Sequence, residues 1–302
     1  MSTSSTPIAA PGRLRTYASF VRFEHTLFSL PLILAGVFSA PGPALPALRW
    51  LLIAIAAVGA RTAGMSLNRL IDRQIDARNP RTRGRELPAG RMRLAEAWLL
   101  LAGSTLAYLI ACAALGAWYL EVAAIPLAVF TLYPYLKRWT PFCHVGVGLA
   151  LALSPLAGFA AAHPDLERWR PAVALAAFAL AWVTGFDIIY ATLDEDFDRT
   201  SGLHSLVAWL GRPVAMRVSW TLHALAALAL AIACGSLAGG VRALATPFGA
   251  LGAALFVATV VLLALEQRLA QDVNLAFFKI NVWVGAAVLA SVLAFRLASG
   301  GF

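Results

Sequence analysis

Between Leu94 and Leu136 the chain carries charge only at Glu96 and Glu121. That stretch is about twice the ~20 apolar residues that cross a bilayer as a helix. Similar runs recur along the chain, at about 26–46, 47–68, 94–115, 119–136, 143–163, 171–193, 214–236, 244–265 and 277–297. In lipid, each backbone N–H and C=O must be satisfied without water, and single segments of this length achieve that only as helices. The composition agrees: 60% of the 302 residues are hydrophobic and 13% charged, where soluble domains carry about 25% charged residues. The sequence therefore predicts an all-α integral membrane protein of about nine transmembrane helices in one bundle, with a central cavity open to the cytoplasmic side. Residues 1–12, rich in Ser, Thr, Pro and Ala, read as a disordered N-terminal tail, and 13–302 as a single transmembrane domain. The first apolar run is too long for the core of a secretory signal.

Basic residues set the orientation. With the N-terminus inside, 19 of the 24 Lys and Arg residues fall on the cytoplasmic side, leaving Arg49, Arg168, Arg170, Arg242 and Arg296 outside. The net charge of +9 is thus mostly a matter of topology, and no nucleic-acid partner is needed to account for it. The partner it implies is the lipid bilayer itself.

Seven of the 15 acidic residues lie in two segments, Asn68–Asp76 and Asp187–Asp198. Each follows an apolar run, and both fall on the predicted cytoplasmic face. Asn68, Asp72 and Asp76 are spaced i, i+4, i+8, one stripe on a helix; Asp187, Asp194 and Asp198, at i, i+7, i+11, form another with Tyr190 beside it. Like charges four apart repel on an isolated helix. A hard divalent cation offsets that repulsion, and magnesium characteristically shares carboxylates with substrate phosphates. The bland alternative is a set of solvated charges paired with the neighbouring Arg. Glu195 and Asp196 point to other faces.

The loop between the stripes, Asn79–Arg91, is rich in Arg, Pro and Gly. Arg83 and Arg85 either hold diphosphate oxygens or serve topology and lipid headgroups, and Lys137 and Arg138 have the same two readings. Tyr133-Pro134-Tyr135 before them suits a lid. Arg61, seven residues before Asn68, lies on nearly the same face about 10 Å deeper. It either binds an acceptor carboxylate or pairs and snorkels. The histidines lack ligand spacing and read as helix-end or loop groups, although His25, near Arg22, borders the expected pocket. Cys112, Cys143 and Cys234 read as buried, inert thiols.

Together these residues resemble the UbiA superfamily of membrane prenyltransferases. Asn68, Asp72 and Asp76 match its first Asp-rich motif, N-D-x-x-D-x-x-x-D, with Arg69 where the family has the Asp directly after the Asn. Tyr190, Asp194 and Asp198 match its second motif, preceded by Asp187. Arg61, the Arg85–Gly90 segment and the Tyr-Pro…Lys-Arg element match as well. The resemblance implies nine helices and Mg2+ held by Asp72, Asp76, Asp194 and Asp198. It implies a polyprenyl diphosphate donor contacted by Asn68, Arg83, Arg85, Lys137 and Arg138. It implies an aromatic acid acceptor held by Arg61 and Asp187, with Tyr190 facing an allylic cation. The acceptor it suggests is 4-hydroxybenzoate, for ubiquinone; the form N-R-x-I-D-x-x-I-D also resembles enzymes that prenylate 1,4-dihydroxy-6-naphthoate, for menaquinone. Either implies a bacterial inner-membrane enzyme with its active site facing the cytoplasm. A transporter is the non-enzyme alternative, but transporters place their key charges near the midplane, not at helix ends.

Overall fold

The computed structural model describes residues 12–22, 26–162, 168–270 and 279–300. Among them every regular element is helical. A short helix α1 (Arg13–Phe20) precedes α2 (Thr26–Ser39), α3 (Ala47–Arg78) and α4 (Leu94–Leu115). Then come α5 (Ala117–Val122), α6 (Ala124–Leu136), α7 (Cys143–Ala162), α8 (Arg170–Ala191), α9 (Glu195–Ser201) and α10 (Leu206–Leu210). The chain ends with α11 (Arg212–Ala238), a 3-10 turn at Val241–Ala245, α12 (Pro247–Arg268) and α13 (Asn281–Ala298).

Among the described residues, eight spans are long and apolar enough to cross a membrane, with α5 and α6 together forming one. The run expected over 26–46 is helical only as far as Ser39, because Pro41, Gly42, Pro43 and Pro46 follow; Pro lacks the N–H that a helix interior needs. That helix is the shorter apolar one of the set. Large side chains such as Leu51, Leu106, Leu228 and Val257 point outward and exposed, as expected of a protein solvated by lipid. It is an integral membrane protein.

Helix α8 is the centre. Its most apolar window is 72% buried, against 44% or less in the other spans. α7 and α11 pack along it, and α2 and α13 close a ring back to α7. α3, α4 and α6 extend the bundle from α7. Small residues bring the backbones close: a Cβ on Gly36 would overlap the Pro155 carbonyl, and one on Gly158 the Ile33 carbonyl. In lipid, where the hydrophobic effect does not drive helices together, such close packing does. The core of the ring holds Phe178, Trp182, Leu230, Val284 and Val288.

Candidate functional site

The first acidic segment is the last part of α3, which continues as helix well beyond the apolar run. It ends at Asn79, in an extended conformation, because Pro80 disfavours a helical residue before it. Asp72 and Asp76 are buried and Asn68 donates to Asp72 Oδ2 at 3.3 Å.

The second segment is not one helical stripe. α8 stops at Ala191, and Asp194 stands at the N-cap position of the new helix α9, whose first turn holds Glu195, Asp196 and Asp198. Four acids at the end of α8 would have faced the negative pole of its dipole; at the start of α9 they face a positive one. The break therefore relieves a conflict that the periodicity alone does not show.

Both segments line one cavity of about 190 Å³, together with Lys137, Arg81, Arg85, Tyr133, His144 and Asp187. Lys137 Nζ donates to Asp72 Oδ2 at 2.6 Å. Arg85 Nη1 grips both oxygens of Asp76, at 2.7 and 2.8 Å. Arg81 pairs with Asp194 through both carboxylate oxygens, and Asn79 donates to the same carboxylate at 2.8 Å. The loop after α3 thus ties the two acidic segments together. Arg81 also donates to the Tyr190 hydroxyl at 2.7 Å and lies 4.8 Å from its ring centre. The loop after α9 is fastened in turn, since His204 N–H donates to the Lys137 carbonyl at 2.7 Å.

Burial alone would raise the Asp194 carboxyl, but Arg81 and Asn79 override it and hold the pKa below the ordinary value. Burial pushes Asp198 the other way, upward, in spite of Ser205. Five carboxylates line the cavity (Asp72, Asp76, Asp187, Asp194, Asp198) against three bases (Arg81, Arg85, Lys137), a surplus of two negative charges. Asp72 Oδ1 is buried without a hydrogen bond, and Arg138 stands 3.6 Å from it. Among the described residues no three acids, histidines or cysteines cluster as a complete metal site. Surplus charge and an orphaned carboxylate oxygen fit a divalent cation completed by substrate oxygens rather than one caged by protein.

Several residues fall elsewhere than the spacing suggests. Arg83 is exposed and outside the cavity lining, where Arg81 sits instead. Arg138 stacks on Tyr135, 4.8 Å from the ring centre, donates to the Ile71 carbonyl and lines a neighbouring groove. Arg61 is half-buried, donates to the Arg22 carbonyl at 3.3 Å, and lies outside the lining. Arg69, the departure from the motif, is buried and donates to the Phe20 carbonyl at 3.3 Å, docking α1 rather than facing the cavity. Cys143 is half-exposed at the cavity wall, unlike the buried Cys112 and Cys234. His144, read as an ordinary helix-end group, is buried at the cavity wall and bonded to Asp187 at 2.7 Å. His25 lies outside the described residues.

Residues 29–297 match the UbiA prenyltransferase family. The chain belongs to that family. As a UbiA-family protein it is a prenyl-group transferase. It is 32% identical over 243 residues to the 4-hydroxybenzoate octaprenyltransferase of Chromohalobacter salexigens, covering 76% of this chain and 78% of the relative. The corresponding protein of Ralstonia nicotianae is 30% identical over 258 residues, covering 74% and 84%. The apo structure of a UbiA homolog from Aeropyrum pernix K1 superposes with a TM-score of 0.77 at 33% identity, covering 89% of this chain and 97% of that one. A UbiA homolog from Archaeoglobus fulgidus bound to DMAPP and Mg2+ shares the fold, with a TM-score of 0.68 at 17% identity over 93% of this chain and 99% of its own. The UbiA-family bundle accounts for why two acid-bearing helix ends so distant in sequence meet at one cavity.

Proposed function

We propose that this prenyltransferase moves a polyprenyl group from a polyprenyl diphosphate to an aromatic hydroxy acid of the 4-hydroxybenzoate type, in the bacterial inner membrane, with its acidic cavity facing the cytoplasm. Residues 13–302 form the one domain that does so. The observation that carries this reading is the cavity itself, where five carboxylates outnumber three bases beside apolar helices. The relatives named for 4-hydroxybenzoate supply the acceptor class.

A magnesium ion held by Asp72, Asp76, Asp194 and Asp198 would neutralise charge developing on the departing diphosphate; the A. fulgidus relative bound to DMAPP and Mg2+ supports that choice. Lys137, Arg85 and Arg81 pair with carboxylates in the cavity and offer N–H groups to diphosphate oxygens by charge-assisted bonds. Arg138 neutralises from behind Asp72, and Asn68 steadies the same carboxylate. The Tyr190 ring faces the allylic cation, since an aromatic face attracts positive charge. At about 190 Å³ the cavity admits a head group rather than a long chain, so the polyprenyl tail runs out between apolar helices into lipid. Arg61, deeper on α3, receives the acceptor carboxylate.

Product mass spectrometry tests this directly, on membranes holding the protein and given 4-hydroxybenzoate, 1,4-dihydroxy-6-naphthoate and one polyprenyl diphosphate. Prenylated 4-hydroxybenzoate supports the reading. Prenylation of the naphthoate alone moves the acceptor to the menaquinone side. Absence of any prenylated hydroxyaryl acid overturns it.

A further inference from the structure

A second polar hollow lies beside the cavity, against another face of α3. It is a groove of about 530 Å³ whose wall holds Arg73, Arg78 and Arg138 and no carboxylate. Arg73 and Arg78 are exposed. Arg73 donates to the Leu70 carbonyl at 2.9 Å, and neither it nor Arg78 has an ion-pair partner among the described residues. Arg138 is held in place, over the Tyr135 ring and by a bond of 2.9 Å to the Ile71 carbonyl. Its Nη2 stands 3.6 Å from Asp72 Oδ1, in the wall of the cavity. Ile75 and Leu203 line both spaces. The partition between groove and cavity is thus thin, and one guanidinium reaches across it. The two sides differ in charge. Five carboxylates and three bases line the cavity, so without metal it repels an anion. The groove, with three guanidiniums, attracts one.

We propose that this groove is a metal-independent docking site for the diphosphate head of the donor, held by Arg73, Arg78 and Arg138 before the head enters the cavity. This rests on the diphosphate-donor reading above. The depth is right for a lipid-tethered anion. Trp98, half-exposed in the groove wall, marks the level of the headgroups, where indole rings settle. A prenyl diphosphate presents its head at that level while its tail stays among the acyl chains. A phospholipid phosphodiester arrives at the same depth, but it carries a single charge and fewer free oxygens. A terminal diphosphate offers more of both, and three guanidinium forks can bind it at several oxygens together. The order of events follows from charge. The bare head meets the groove first, because the cavity accepts it only once a divalent cation has offset the carboxylates. Arg138 faces both spaces, so one basic contact to the head is kept as it crosses beside Ile75 and Leu203.

The test is calorimetric titration of the full chain with inorganic diphosphate, in phosphatidylcholine nanodiscs with EDTA present. One metal-free binding event is expected, weakened at least about tenfold when Arg73→Gln and Arg78→Gln are combined. Arg73→Lys with Arg78→Lys, which keeps the charge but not the forks, recovers part of that loss. Arg83→Gln removes an exposed guanidinium that lines neither space and stays within about twofold of the unaltered protein. In a transfer assay with saturating magnesium, the double Gln variant raises the donor KM about fivefold and leaves kcat within about twofold. Metal-free binding that survives in the double Gln variant places the anion elsewhere and overturns the assignment. Binding abolished in nanodiscs rich in phosphatidylglycerol makes the groove a phospholipid headgroup site and overturns it too. An unchanged donor KM overturns the docking role. No prenyl transfer by the unaltered protein to any acceptor overturns the functional reading and this inference with it; transfer without metal-free binding overturns this inference alone.

Discussion

Lys137 places its ammonium 2.6 Å from Asp72 Oδ2 and so bridges the end of α6 to the acidic stripe of α3. Without it, Asp72, whose side chain is 3% exposed, keeps, among the described residues, Arg138 at 3.6 Å as its basic partner. Losing one member of a fully buried pair costs about 3–5 kcal/mol. Lys137 is 28% exposed, so about 1–2 kcal/mol is expected here. Lys137→Met should therefore lower the melting temperature in detergent slightly and cut kcat/KM for the donor by about 100-fold. Lys137→Arg should recover part of both.

Arg81 and Arg83 stand two residues apart in the same loop but in different surroundings. Arg81 pairs with Asp194 and Tyr190, whereas Arg83 is exposed outside the cavity. Arg81→Ala is expected to lower donor kcat/KM by about 10- to 100-fold, and Arg83→Ala by no more than about threefold. Parallel kinetics of the two variants check this; equal effects would place the diphosphate outside the cavity.

Chelation of divalent metal should abolish transfer, and returning magnesium should restore it. Asp72→Asn and Asp194→Asn should each raise the magnesium concentration for half-maximal rate by about tenfold or more, while the protein remains folded by thermal scan. A metal titration of turnover supplies the measurement, and an unchanged midpoint in both variants would count against the clamp.

Gly158→Ala tests packing apart from chemistry. The added methyl meets the Ile33 carbonyl where α7 crosses α2. Overpacking of this kind costs about 1–3 kcal/mol, read as a lower unfolding temperature in detergent. Gly158 lies far along α7 from the acid-lined end, so activity per folded molecule should hold.

Arg61→Ala should act on the acceptor, raising its KM by about tenfold with the donor KM unchanged. An effect restricted to the donor would remove Arg61 from the acceptor end and leave it as a brace for the end of α1, through the Arg22 carbonyl.

The long apolar runs and the i, i+4 acids were legible in sequence because both are local patterns. The meeting of Asp72 with Lys137 was partly so, since each sits where an apolar run ends. Arg81 was not distinguishable from Arg83, because the fold of the loop after Pro80 decides which guanidinium turns inward. His144 was hidden for a different reason: its partners, Asp187 and the Leu206 N–H, come from α8 and the start of α10, and no spacing along α7 marks it. The break between α8 and α9 escaped periodicity because it answers to helix-end electrostatics. Arg69 stands where the resemblance puts an Asp, yet its side chain docks α1 and lies outside the cavity lining, which spacing along α3 does not show.

The bond from His204 N–H to the Lys137 carbonyl runs between backbone groups. Side-chain replacement at either position leaves both atoms in place, proline at 204 excepted. The spacing between the lysine that meets one acidic segment and the loop that follows the other is therefore inherited from the main chain. Side-chain substitutions around the cavity leave this link across its mouth in place.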